Sequence, residues 1–160
     1  MIPFSWASRV YWEDTDGGGI VYYANYLRFL ERARTEWLRS LGYSQRALAE
    51  EPGIVFAVVS LNIEYRKPAK LDDELVITCQ PHAEGAATIA FAQQIYRKGG
   101  EVPGKADGVH NLLVEANARV ACLDARTLRP RRLPDFMTLA ADSRPRVAAA
   151  DARPNIEEPS

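Results

Sequence analysis

The 160-residue chain is poor in cysteine and histidine, with two of each, and carries almost no net charge. Cys79 and Cys122 cannot build a disulfide scaffold, so the expected compartment is the cytoplasm with both thiols reduced. Without a Cys/His cluster a zinc site lacks its usual ligands, and no metal or cofactor is expected. Twenty basic and 21 acidic side chains give a net charge of −1, which speaks against a strongly cationic nucleic-acid or membrane-surface binder. No apolar run approaches the roughly 18–20 residues that span a bilayer. The opening Met1-Ile2-Pro3-Phe4-Ser5-Trp6 lacks the basic start and apolar block of a signal peptide. Gly-x-Ser-x-Gly elbows, phosphate-binding Gly-x-x-x-x-Gly-Lys loops and dinucleotide fingerprints are also missing.

What remains is a chain that is 47% apolar, enough for one soluble domain with a real core. That domain is expected to cover residues 1–139. Residues 140–160 are dominated by Ala, Asp, Arg, Pro and Glu, with Val147 and Ile156 as the larger apolar side chains. Such a segment buries too little surface to offset its ordering entropy, which predicts a flexible tail.

Periodicity sets the layout. Val10-Tyr11-Trp12 is assigned to a short first strand, and the glycines of Asp14-Thr15-Asp16-Gly17-Gly18-Gly19 to a turn. Asn25 is an N-cap candidate for a helix running to about Ser40. Tyr26, Leu30, Ala33, Trp37 and Leu41 share one stripe of it; Arg28, Arg32, Glu36 and Arg39 lie opposite. Ser44 caps a shorter helix through Glu50. Strands follow over residues 54–65, 75–80, 88–96 and 112–123. A glycine-rich loop over residues 98–108 and an edge segment over residues 128–133 complete the reading. In residues 59–65, Val59, Leu61, Ile63 and Tyr65 alternate with Ser60, Asn62 and Glu64. One amphipathic helix and a run of antiparallel strands make an α+β domain, with the helix on one sheet face. The sheet's remaining edge or face needs cover, and oligomerisation would supply it.

The segment richest in chemistry runs from Tyr11 to Tyr26: three acids (Glu13, Asp14, Asp16), three glycines, then a helix start. A helix N-terminus carries unpaired N–H groups and partial positive charge, and so suits an oxyanion or a carbonyl oxygen. A carboxylate beside it can act on that carbonyl or on a water. The glycines, Gly19 among them, allow close approach to a ligand. The plainer alternative is a turn in which Asp14 and Asp16 only accept backbone N–H groups. An acidic metal site at Glu13, Asp14 and Asp16 would lack the rest of its coordination shell. Glu31 and Arg34, three apart on the flank of the stripe, either pair as ions or present Glu31 to a substrate acyl group. Arg126, Arg129, Arg131 and Arg132 either solubilise an edge or hold phosphates.

The block Asp14-Thr15-Asp16-Gly17-Gly18-Gly19-Ile20-Val21-Tyr22-Tyr23-Ala24-Asn25-Tyr26 resembles the hotdog-fold acyl-CoA thioesterases. Within them it is similar to the 4-hydroxybenzoyl-CoA thioesterase family and its branch associated with the Tol–Pal envelope system. The resemblance continues through Leu30-Glu31-Arg32-Ala33-Arg34-Thr35-Glu36 and Glu64-Tyr65-x-x-Pro68-Ala69-x-Leu71-Asp72-Asp73, and ends at Arg129-Pro130-Arg131-x-Leu133-Pro134. It implies a hotdog fold, one long central helix wrapped by an antiparallel sheet of five strands or so. It implies that an acyl-CoA is hydrolysed to a carboxylic acid and coenzyme A. Asp16 matches the catalytic carboxylate and Tyr23 the turn whose backbone N–H polarises the thioester carbonyl. Glu31, with Gly19 and Asn25, falls in the substrate-binding region, and Arg129 and Arg131 in the region contacting coenzyme A phosphates. Tyr23 stands where the Tol–Pal branch typically carries histidine, and Pro68 where the hydroxybenzoyl enzymes carry a hydroxylated residue. Interfacial active sites are implied, hence a dimer or a homotetramer built from dimers, with envelope-system or lipid-synthesis proteins as associates. The competing readings are a non-catalytic hotdog scaffold and a hotdog dehydratase or hydratase. The latter needs a histidine near the central helix, where neither His82 nor His110 lies.

Overall fold

The computed structural model describes residues 3–99 and 112–142. A first strand β1 (Phe4–Arg9) leads through a short 3-10 turn (Trp12–Asp14) and a second (Tyr23–Asn25) into the long helix α1 (Tyr26–Ser40). Then come α2 (Gln45–Glu50), β2 (Ile54–Tyr65), β3 (Glu74–Ala83), β4 (Thr88–Arg97), β5 (Leu112–Asp124) and α3 (Asp135–Asp142). The five strands form one antiparallel sheet in the order β1-β3-β4-β5-β2.

Helix α1 lies on one face of that sheet with Tyr26, Leu30, Ala33 and Trp37 buried as expected, joined by Phe29 and Leu38. Leu41 is the exception; it sits one residue past the helix and is exposed. Two clusters share the core. The first gathers Phe29, Leu30 and Ala33 of α1 with Leu75, Ile77, Ile95 and Val114 of the sheet. The second gathers Trp37 and Leu38 with Ile54, Phe91, Val120, Cys122 and Met137 of α3. Both cysteines are buried thiols. The opposite sheet face is polar: Thr78, Gln80, Gln94, Glu115 and Asn117 line a shallow depression there.

Several boundaries differ from the sequence reading. The first strand is Phe4–Arg9, not Val10–Trp12; Val10 is instead a fully buried core residue whose N–H donates to Asp73 O. In β2 the alternation breaks at a bulge between Val58 and Ser60, and both Val58 and Val59 are exposed. The 128–133 segment pairs through a single bridge, Leu123 to Pro130, because proline cannot donate to a ladder. The short helix α3 went unread; its Phe136 ring stacks on Tyr43 at 3.6 Å. It spans the 139/140 boundary. The rest of the assigned tail (143–160) and most of the glycine-rich loop, with His110, lie outside the described residues. Among the described residues no helix is long and apolar enough to cross a membrane.

Candidate active site

The two aspartates of the glycine-rich segment face different ways. Asp14 ends the first 3-10 turn and is buried; its Oδ2 accepts the Tyr11 N–H at 2.8 Å. Its carbonyl accepts the Tyr22 N–H at 3.1 Å and Asn25 Nδ2 at 2.9 Å. Asp16 is exposed at the head of a tight turn, with its N–H donating to Ile20 O and its carbonyl accepting Gly19 N–H. Its Oδ1 accepts the Gly18 N–H at 2.8 Å, while Oδ2 accepts nothing among the described residues. Gly19 closes the turn at φ +75°, a conformation that disfavours a side chain. Gly18 leaves room for the carboxylate, since a Cβ there would sit 3.2 Å from Asp16 Oδ1.

The far side of the turn is fastened to the segment before β3. Val21 N–H donates to Ala69 O at 2.9 Å, and Leu71 N–H to Gly19 O at 3.2 Å. The Pro68-Ala69-x-Leu71 block is therefore the backing of the Asp16 turn. Further support comes from Asp73, which accepts Lys70 N–H and Arg97 Nε, both at 2.8 Å.

The turn leads directly into the start of α1. Thr15 bridges to Val21, two residues before the 3-10 turn Tyr23–Asn25 that opens the helix. The N–H groups of Tyr23 and Ala24 come first in that turn and have no preceding carbonyl in it to bond. Asn25 does not cap the helix with its side chain; its amide instead ties the helix start back to Asp14 O. Four tyrosines surround this corner. The Tyr65 hydroxyl donates to Tyr23 O at 2.9 Å, and the Tyr26 hydroxyl accepts the buried Ala69 N–H at 2.9 Å. Tyr65 lies 6.4 Å edge-on from Tyr23 and 5.4 Å from Tyr26, measured between ring centroids. Burial raises the phenols of Tyr26 and Tyr65 above their ordinary values, and a hydrogen bond to Tyr23 does the same for Tyr22. All three stay neutral around pH 7.

Glu31 stands eight residues after Tyr23, about 12 Å along the helix axis. With Arg34, Trp37, Leu38, Phe56, Val58 and Phe91 it lines a cavity of about 200 Å³ between α1 and the sheet. Among the described residues Glu31 and Arg34 form no ion pair. Arg34 donates to Gln93 Oε1 at 2.9 Å, and Gln93 Nε2 donates to Leu30 O at 3.0 Å. Burial lowers the Arg34 guanidinium pKa, with Cys79 and then Glu31 pulling it back.

The arginines after β5 do not share this corner. Arg131 is held by Pro52 O at 2.8 Å and Gly53 O at 3.2 Å, and lies 3.6 Å from Asp124 Oδ2. The N–H groups of Thr127 and Arg126 hold the Asp124 carboxyl below its usual range. Arg129 is exposed, and its guanidinium has no partner among the described residues. Strand β2 has its Tyr65 end at Tyr23 and its Ile54 end beside Arg131. At about 3.3 Å per residue the strand between those ends is roughly 35 Å long, the greatest separation they can have. Asp16 and the arginine patch thus occupy opposite ends of one protomer. Glu13, Asp14 and Asp16 do not converge either; among the described residues no His/Cys/Asp/Glu group is arranged to hold a metal.

A family model described as the thioesterase superfamily matches residues 18–103, beginning two positions after Asp16. The chain is 42% identical over 131 residues to the acyl-CoA thioesterase YbgC of Haemophilus influenzae, covering 82% of this chain and 88% of that protein. It is 41% identical over 131 residues to the acyl-CoA thioester hydrolase YbgC of Escherichia coli O6:H1, covering 82% and 90%. The chain belongs to the thioesterase superfamily. A solved 1,4-dihydroxy-2-naphthoyl-CoA thioesterase, Slr0204 from Synechocystis, superposes with a TM-score of 0.75 at 22% identity, covering 89% of this chain and 98% of that one. That likeness is one of fold, and with the family match it makes this thioesterase a hotdog protein with a five-strand sheet around α1.

Sequence reasoning about this thioesterase passed over Gln93, Ala69 and the role of Tyr65. Gln93 carried a signal: a polar residue at a buried position of an otherwise apolar strand face. Ala69 and Tyr65 carried none beyond their place in a recurring block, because their contacts are made by backbone and hydroxyl atoms across more than 40 residues.

Proposed function

We propose that this thioesterase hydrolyses acyl-CoA: the thioester and one water give a carboxylic acid and the coenzyme A thiol. The observation carrying this reading is the Asp16 carboxylate, fixed through Oδ1 and open at Oδ2, on a turn tied to the start of α1, whose first N–H groups have no helical carbonyl to bond. A thioester carbonyl directed at the Tyr23 N–H, with the neighbouring Ala24 N–H as second donor, would be polarised where negative charge develops. Asp16 Oδ2 can then attack the carbonyl carbon, expelling the thiolate and leaving a mixed anhydride that water cleaves. Alternatively it takes a proton from a water that attacks directly. The acyl group would enter the cavity flanked by Glu31. Gly19 and Asn25 serve by shaping the turn and anchoring the helix start.

The separation of Asp16 from Arg129 and Arg131 supports a second part of the reading. Among the described residues strand β2 closes the sheet order with its outer edge unpaired, and it exposes Val58, Val59 and Leu61. Two copies joined antiparallel along β2 would set one protomer's arginine end beside the other's Asp16 end. The coenzyme A phosphates would then be held across the interface. A homodimer is the minimal active form in this reading, and a homotetramer repeats it. The cytoplasmic location belongs to the same proposal.

Asp16→Asn tests the chemistry. Thiol release from a panel of acyl-CoA esters should fall at least about 100-fold, with the circular dichroism spectrum and melting temperature retained. Undiminished turnover would remove Asp16 from the mechanism; no hydrolysis by the unaltered protein across the panel would favour the scaffold reading.

A further inference from the structure

We infer that Tyr65 is a positioning residue for the carbonyl-polarising turn, a role that rests on the thioesterase reading above. Its hydroxyl donates to Tyr23 O at 2.9 Å. That oxygen belongs to the peptide unit whose other end is the Ala24 N–H, beside the Tyr23 N–H at the start of the 3-10 turn. A hydrogen bond accepted by a peptide carbonyl draws electron density toward the oxygen and makes the same unit's N–H a stronger donor. Tyr65 therefore acts on the turn in two ways. It fixes the peptide plane and it sharpens the positive end that a developing oxyanion meets.

The side chain is built to hold this position. Its ring, 45% exposed, meets Tyr23 edge-on at 6.4 Å and Tyr26 at a tilt at 5.4 Å between centroids. Tyr26 is itself locked by the Ala69 N–H on its hydroxyl. The backbone of Tyr65 pairs with Val114 at the end of β2, so the hydroxyl is aimed from a rigid strand rather than a loop. The phenol is raised above its ordinary value by burial first, so it is a donor throughout the neutral range. Tyr65 touches no reacting atom in this scheme; it acts only through the peptide it polarises.

Tyr65→Phe keeps the ring and removes the donor. With benzoyl-CoA and hexanoyl-CoA as probes, kcat should fall about three- to tenfold with KM unchanged, as for one lost neutral hydrogen bond acting in the transition state. In the 15N-labelled full-length protein the Ala24 amide nitrogen resonance should move upfield, while the melting temperature stays within the range of the unaltered protein. Full activity in Asp16-intact Tyr65→Phe together with an unmoved Ala24 resonance overturns the assignment, and so does a loss that falls on KM with lowered stability. If the unaltered protein hydrolyses neither probe and no other acyl-CoA, the thioesterase reading falls and this assignment with it. If it hydrolyses them, Asp16→Asn does not, and Tyr65→Phe matches the unaltered protein, only the assignment falls.

Discussion

Asp14 and Asp16 are the same side chain two positions apart, and the turn gives them opposite tasks. Asp14 is folded inward, where one carboxylate oxygen and its carbonyl satisfy Tyr11, Tyr22 and Asn25. Asp16 faces out with one oxygen open. One aspartate is thus closed into its own hydrogen bonds and the other left open to solvent, a difference that side-chain type does not encode. Tyr26 shows the cost of a single hydroxyl. Its oxygen is the acceptor for the Ala69 N–H, and Ala69 is fully buried. Tyr26→Phe would leave that N–H unsatisfied, and urea unfolding should show a loss of about 1–3 kcal/mol. The phenol adds a pH signature. Its folded pKa is raised above 10.0 by burial. The stability linked to the neutral phenol is complete below pH 10.0 and is lost as pH rises from there through the folded value. Stability measured between pH 9 and 11.5 should therefore fall less steeply in Tyr26→Phe than in the unaltered protein, about these ordinary tyrosine values.

Among the elements, α1 was the most legible. Fifteen residues with a 3.6-residue apolar period are hard to place any other way, and the helix ends where it was expected to, at Ser40. Ser44 caps α2 as read, its hydroxyl accepting the Ala47 N–H at 3.2 Å. The elements that escaped were short or depended on partners. Strand β1 is a short hexapeptide, Phe-Ser-Trp-Ala-Ser-Arg, made into a strand by its register against β3, and α3 is an eight-residue helix held by packing of Met137 and Phe136. The α1 stripe also forms the core beneath the site. Leu30 is fully buried beneath the helix start. Leu30→Ala should lower stability by about 2–5 kcal/mol, read as a lower urea midpoint with an unchanged m-value.

At the scale of the whole molecule the decisive fact is distance. The Asp16 corner and the Arg129–Arg131 patch sit at opposite ends of β2, a strand roughly 35 Å long. A lysine on the open β2 edge should block pairing. Leu61→Lys is expected to sediment as a monomer and to lose acyl-CoA hydrolysis while Asp16 stays in place. Mixing subunits tests the same geometry without disturbing the edge. Dimers of one Asp16→Asn chain and one Arg129→Ala chain should regain about half the activity if each site borrows its arginine from the partner. That figure follows from counting one intact site in two. Mixed dimers no more active than the two single variants would place both residues' work within one protomer.

The sequence by itself determined the run of elements from α1 through β5, the apolar stripe of α1, the glycine turn ahead of it and the family resemblance. These are local properties: periodicity, backbone freedom at glycine and the spacing of a motif act over a few to a few tens of residues. Tertiary structure alone decided which aspartate opens to solvent and that Arg34 turns to Gln93 rather than Glu31. It also decided that Pro68–Leu71 backs the turn, and that Tyr65 reaches Tyr23 across 42 positions. The last three are hydrogen bonds between groups distant in the chain, and their partners are set by how strands register and pack, which no local pattern encodes.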